Sequence, residues 1–360
     1  MAGVGDGSRD GISEQPDGEH SREAEDTTMG EAHEPQLFEL NALEVDTTWE
    51  RDSAIGSASS IHSSTRSVTS SIYDHVIENG RTYHRYKEGK YMLPNDETEQ
   101  DRLDFQHRIY TLANDGKLVN APIDERCHNV LDVACGTGIW AIEFGQQYPG
   151  TSVLGIDLSP IQPPYVPPNV DFEIFDAEDE WCFSQKFDLI HIRAVVTCFK
   201  DPRAVFAEAY RSLAPGGWLE LRDPIMPFQF LTPPPPGCAL KEWADNIIKA
   251  ATMTGRRWTN AVYYTQWLQE LGCVNIVEKR EAVGLNPWPK GARNKEMALL
   301  LQTDMVNGLE SMSMALFTRI LGWEPDRVRE LLVRVEADMK NPKIHSYSEG
   351  VHIHAQKPYE

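Results

Sequence analysis

The 360-residue sequence predicts an α/β fold: a doubly wound, mainly parallel sheet of seven strands with a helical cap and a disordered N-terminal tail. Three observations carry that expectation. From His128 onward, short apolar runs alternate with helical patterns, the signature of βαβ units and a sheet covered on both faces. One of those runs feeds a glycine turn that opens a helix, Val130-Leu-Asp-Val-Ala-Cys-Gly-Thr-Gly-Ile-Trp140. The opening stretch of chain has the opposite character, acidic and serine-rich with few bulky side chains.

Residues 1–71 are expected to be disordered. Residues 1–60 hold fifteen Asp/Glu against three Arg, and Ser53–Ser71 has nine serines in nineteen residues. Such composition buries too little apolar area to offset ordering entropy. Residues 72–127 form a cap. Within it, Glu78 to Asn95 is aromatic and basic, Pro94-Asn95-Asp96 makes a turn, and Asp96 or Thr98 caps a helix over about 97–114. That helix turns Leu103, Phe105, Ile109 and Leu112 to one side. Residues 128–360 form the main domain. Its strands are Asn129–Ala134, Ser152–Ile156, Val170–Phe175, Phe187–Ile192 and Trp218–Leu221, with helices near 139–148 and 202–213 between them. Helical insertions follow near 239–271 and 293–340, together with strands Val274–Lys279 and Val351–Gln356. The proline runs at 163–168 and 233–236 are loops, because proline neither donates to a ladder nor continues a helix.

Charge narrows the function. The formal net charge is -21, which argues against phosphate-backbone binding; nucleic acid is not an expected partner. No apolar run approaches the roughly 18 residues that span a bilayer, so no membrane association is expected, and the N-terminus does not read as a secretory signal. The six cysteines form no CxxC pair, and His352 and His354 stand without companion ligands, so no metal site is expected.

The glycine turn is the informative motif. Gly136 and Gly138 let the chain turn tightly and let a ligand approach the backbone. Asp157 ends the second strand, where a carboxylate can accept both ribose hydroxyls of an adenosine. Gly136-x-Gly138-x-x-Ala141 also fits a dinucleotide fingerprint, so NAD is a competing reading. Three features oppose it. Asp132, inside the first strand, would face a positive group rather than a pyrophosphate; Asp176 ends the third strand, where it could receive an adenine amino group; Leu213-Ala-Pro-Gly-Gly217 is a sharp turn before the fifth strand. Together they give the succession seen in class I, Rossmann-like S-adenosylmethionine methyltransferases. The segment Glu78 to Gln106 further resembles the fungal LaeA-like methyltransferase family. So do Gly155-Ile-Asp-Leu-Ser-Pro-Ile-Gln-Pro-Pro164, Gly284-Leu-Asn-Pro-Trp288 and Lys343-Ile-His-Ser-Tyr347. This chain has Ala134 where many members have glycine.

The resemblance implies S-adenosylmethionine as cofactor, held by Asp132, Ala134, Gly136, Gly138, Asp157 with Leu158, and Asp176 with Ala177. Tyr83 is expected beside the sulfonium, His84 as a general base, and Arg193 as a grip on a carboxylate. Met305, Met312, Met314 and Phe317 read as core or pocket wall. The implied function is methyl transfer to a small molecule in a fungal secondary-metabolite pathway, in the cytoplasm. The alternative is a nuclear regulator acting through velvet-type protein partners.

Overall fold

The computed structural model describes residues 43–46 and 74–359. The tail expected to be disordered therefore lies outside the described residues except at 43–46. Those four correct the expectation locally. Val45 bridges antiparallel to Pro289, and the Asp46 amide donates to the Trp288 carbonyl at 3.0 Å. Glu44 and Asp46 pair with Lys290 and Lys295, so acid meets base along the contact.

The cap opens with a hairpin that the sequence reading missed, β1 (His75–Glu78) and β2 (Arg81–His84). Its turn is Asn79-Gly80 with φ of 50° and 82°, the two-residue type whose twist suits paired strands. Helix α1 (Glu97–Ala113) follows, with Asp96 as N-cap accepting from the Glu99 amide at 3.1 Å. Arg81 reaches Asp96 at 2.6 and 2.8 Å, tying the hairpin to the helix start. Here the expected apolar stripe is corrected. Leu112 is 46% exposed, whereas Glu99, Arg102 and His107 are buried. The helix turns charge inward because its inner face meets other charges rather than a greasy core.

The main sheet is built from β3 (Asn129–Val133), β4 (Ser152–Asp157), β5 (Val170–Ile174), β6 (Phe187–Arg193), β7 (Leu213–Phe230), β8 (Val274–Gly284) and β9 (Ser346–Gln356). Their order is β5-β4-β3-β6-β7-β9-β8, with the first five parallel and β9 antiparallel to both neighbours. This is the expected doubly wound, seven-stranded sheet with its last strand inserted. Strand β7 runs much longer than the Trp218–Leu221 expected, and it absorbs the glycine turn before it. The sheet reverses direction of winding between β3 and β6, so a crevice opens above their carboxyl ends.

Helices α2 (Ile139–Gln147) and α3 (Pro202–Ser212) cover the sheet. Trp140 and Phe144 pack on one face, while Ile190, Ile192 and Leu221 are buried on the other. The insertions are α4 (Ala239–Met253), α5 (Tyr264–Glu270), α6 (Ala292–Ala315, continuing into a π-helical turn) and α7 (Pro325–Met339). They build a second core around Trp243, Ile247, Met314, Phe317 and Val335. Met314 and Phe317 are thus core, while Met305 and Met312 also line a cavity.

One buried cluster joins cap to insertion. Arg102 donates to Glu99 at 2.8 Å and to Asp304 of α6 at 2.8 Å, and all three are buried. Arg102→Met strands both carboxylates, so urea unfolding should show a loss of about 3–5 kcal/mol. A loss below about 1 kcal/mol would mean the carboxylates find water.

Candidate cofactor cleft and acceptor cavity

Above the carboxyl ends of β3, β4 and β6 lies a cleft of about 1040 Å³. Its floor is the turn between β3 and α2. Ala134, Gly136 and Gly138 all have positive φ, at 55°, 59° and 78°. Ala134 therefore carries a strain of about 1 kcal/mol that glycine would not. The Phe172 ring packs under the turn: a Cβ on Gly138 would collide with it, and one on Gly155 would lie 2.5 Å from it. Side chains are excluded here so that backbone is left facing the cleft.

Asp157 lines the cleft at the end of β4. Its oxygens accept the Gly136 and Ser159 amides, each at 2.8 Å, which leaves each oxygen one further acceptor position. Burial pushes this carboxyl up to about 6, against those two amides. Leu158 and Ala177 line the cleft beside it, as expected. The backbone turn, the aimed carboxylate and the room between them fit an adenosine-bearing cofactor.

Three expected cofactor residues sit elsewhere. Gly138 shapes the turn and caps α2 without lining the cleft. Asp132 is buried behind the turn, its Oδ2 lacking a hydrogen-bond partner among the described residues. Burial pushes it up to about 7, opposed by the positive charge of Arg193, so the cation it faces belongs to the protein. Tyr83 is buried under the Arg319 guanidinium, 4.8 Å from its ring centroid, and does not reach the cleft. Tyr91 of the same segment does.

Asp176 lines the cleft as expected, and two lysines meet it there. Lys87 donates to it at 2.7 Å and Lys90 also pairs with it, while its other oxygen accepts the Glu178 amide at 2.9 Å. Burial raises the carboxyl, yet the two lysines outweigh this and hold it below the ordinary range. The segment after β2 is thus strapped to the end of the cleft that Asp176 lines. Sequence reasoning missed both lysines, since nothing local links them to a carboxylate nearly ninety residues on.

The two expected catalytic residues part company. His84 is buried, and its Nδ1 donates to the Tyr86 carbonyl at 2.6 Å while Nε2 accepts the Tyr91 amide at 3.2 Å. Both nitrogens serve its own loop and neither cavity includes it, which corrects the expectation of a base there. Arg193 does line the cleft. It donates to His107 Nδ1 at 2.9 Å and stacks over Tyr110 at 5.0 Å. His107 Nε2 meets Glu143 at 2.9 Å, and burial together with Arg193 holds this imidazole below its usual range. Among the described residues, no group of three His, Cys, Asp or Glu is arranged to hold a metal ion. His352 instead pairs with buried Glu220 at 3.2 Å, and His354 stands edge-on to Trp218.

A second cavity of about 1190 Å³ adjoins the first. Tyr91, Leu103, Gln106 and Ala194 line both. Its walls are largely apolar, with Met226, Phe228, Trp258, Leu301, Met305 and Met312. None of the described helices is long and apolar enough to cross a membrane.

Comparison with known proteins agrees with this geometry. A methyltransferase-domain family matches residues 105–278. The methyltransferase pytC of Aspergillus terreus is 37% identical over 299 residues, covering 82% of this chain and 92% of its own. The secondary metabolism regulator laeA of Aspergillus fumigatus is 36% identical over 319 residues, 86% of this chain and 85% of its own. The secondary metabolism regulator LAE1 of Cochliobolus heterostrophus is 34% identical over 285 residues, 77% and 92% respectively. S-adenosylmethionine is the cofactor of such domains.

The Asp157 geometry gives a pH test. Ribose hydroxyls donate to an ionised carboxylate, and protonation removes the acceptor. Calorimetric affinity for S-adenosylhomocysteine should therefore be flat above about pH 6 and fall about tenfold per unit below it. Asp157→Ala should weaken binding by about 1–3 kcal/mol and abolish that pH dependence. An unchanged profile in the variant would remove Asp157 from the cofactor.

Proposed function

Since the chain belongs to the fungal LaeA-like class I S-adenosylmethionine-dependent methyltransferases, we propose that it methylates a small, largely apolar metabolite in a cytoplasmic secondary-metabolic pathway. The observation that carries the proposal is the second, largely apolar cavity, which shares Tyr91, Leu103, Gln106 and Ala194 with the cofactor cleft as common wall. A largely apolar, partly open cavity beside the cofactor cleft suits the body of an organic molecule better than a single protein side chain. The other reading, a nuclear regulator working through velvet-type partners, is favoured by relatives named as secondary metabolism regulators, which cover the chain about as far as pytC does. The cavity tips the balance.

The bound cofactor supplies a methyl group already activated as a sulfonium, so the chain has to align an acceptor and exclude water. Asp157 would hold the ribose, the backbone from Ala134 to Gly136 the amino-acid end, and Arg193 its carboxylate. The Lys87 and Lys90 strap would cover the adenine end and keep the cleft dry. Tyr91, whose backbone N–H donates a hydrogen bond to His84 Nε2, lines both cavities.

Filling the second cavity should separate the two sites. Leu301→Trp is expected to slow methyl transfer at least about tenfold, about 1.4 kcal/mol of barrier, while leaving S-adenosylhomocysteine affinity within about twofold. With methyl-labelled cofactor and a whole-cell extract, label should appear in organic-soluble molecules. Label confined to protein, unaffected by Leu301→Trp, would favour the regulator.

A further inference from the structure

Four carboxylates line the second cavity, and two of them, Asp304 and Glu281, are neutralised, while Glu349 is part-exposed to water. Asp304 is taken by Arg102 at 2.8 Å, and Glu281 by Arg222. Asp223 is different. It is 1% exposed, lines the cavity, and takes part in no ion pair among the described residues. Its oxygens accept only neutral donors, the Tyr264 hydroxyl at 2.8 Å and the Val196 amide at 3.1 Å. Its place in the sheet is equally specific. The carbonyl of the preceding Arg222 accepts the Ala194 amide at 2.9 Å, and Ala194 is one of the residues common to both cavities. Asp223 is thus fastened in the second cavity, one residue along β7 from a bond to the wall that the two cavities share.

Resting on the methyltransferase reading above, we infer that Asp223 is the proton acceptor of the transfer, and that the acceptor is an apolar-bodied molecule presenting a phenolic or enolic hydroxyl. A carboxylate buried without a cation is costly unless a neutral donor meets it. A substrate hydroxyl provides that donor, and an anionic substrate would be repelled. In the step, the hydroxyl oxygen forms a bond to the methyl carbon while the methyl–sulfur bond breaks and its electron pair stays on sulfur. The hydroxyl proton passes to the Asp223 carboxylate. Burial, opposed by the Tyr264 hydroxyl and the Val196 amide, pushes this carboxyl up to about 7, matched to taking a proton near neutrality. The two histidines nearest the shared wall are not available. His107 is bonded at both nitrogens, and His84 lies outside both cavities. The methionines of the wall adapt to irregular apolar shapes, which suits a fused-ring or prenylated body.

The test uses the full-length protein, methyl-labelled S-adenosylmethionine and a small-molecule extract of the source organism with this gene deleted. Wild type should label the oxygen of a neutral, organic-soluble component. Asp223→Asn, which keeps size and hydrogen bonding, should slow labelling at least about 100-fold. It should retain S-adenosylhomocysteine affinity and capture of the unlabelled component, read by mass spectrometry after gel filtration, within about twofold. Tyr264→Phe strips the same hydrogen bond but keeps the carboxylate, and should stay within about fivefold of wild type. Near-wild-type labelling by Asp223→Asn, an equal loss in both variants, a loss of cofactor affinity in Asp223→Asn, or label on nitrogen or carbon would each overturn the inference and leave the proposed function standing. An extract in which wild type labels no small molecule would overturn the proposed function itself.

Discussion

Arg102 lies between Glu99 and Asp304, and through that join the cap helix and the long insertion helix become walls of the same chamber. The arrangement constrains everything around it. Three charges can be buried together only if their geometry is held, so α1 and α6 cannot slide relative to one another without stranding a charge. Gln106, one turn further along α1, reaches Asp304 at 3.2 Å and faces both cavities. The sheet supplies a crevice, as any doubly wound sheet does, and this ion cluster fixes the helix whose Leu103 and Gln106 line both cavities.

The carboxylates of the site then differ by what meets them. Asp176 is met by two lysines and is held below the ordinary carboxylate range. Asp157 is met by backbone amides and keeps capacity for two more donors. Asp132 is met by the charge of Arg193, behind the turn. Asp223 is met by a tyrosine hydroxyl and an amide. The same side chain thus meets lysines, backbone amides, an arginine charge or a hydroxyl at different places in the site, and these neighbours set its charge.

Much of the fold was legible from the sequence, since strand–helix alternation and the glycine turn are local signals. The turn and Asp157 of the site were legible for the same reason: β4 follows the turn closely, and its last residue must face the crevice. Other parts were not. The charged inner face of α1 was misread because an apolar stripe was sought, and Leu112 proved exposed. His84 and Tyr83 were placed at the cleft on proximity to an aromatic run, yet in a two-stranded hairpin they turn toward Arg319 and their own loop. The Asn79-Gly80 pair was the missed signal. Asp223 and Tyr91 could not have been found locally, because their importance comes from where β7 and the strap meet the cavities.

The most direct test of a divided crevice is a crystal structure of the complex with S-adenosylhomocysteine. The expected result has both ribose hydroxyls within hydrogen-bond distance of Asp157 and the sulfur at the shared wall of Tyr91, Leu103, Gln106 and Ala194, facing the second cavity. A ligand whose sulfur points away from that cavity, or whose ribose is held elsewhere, would contradict the division of the crevice into cofactor and acceptor chambers.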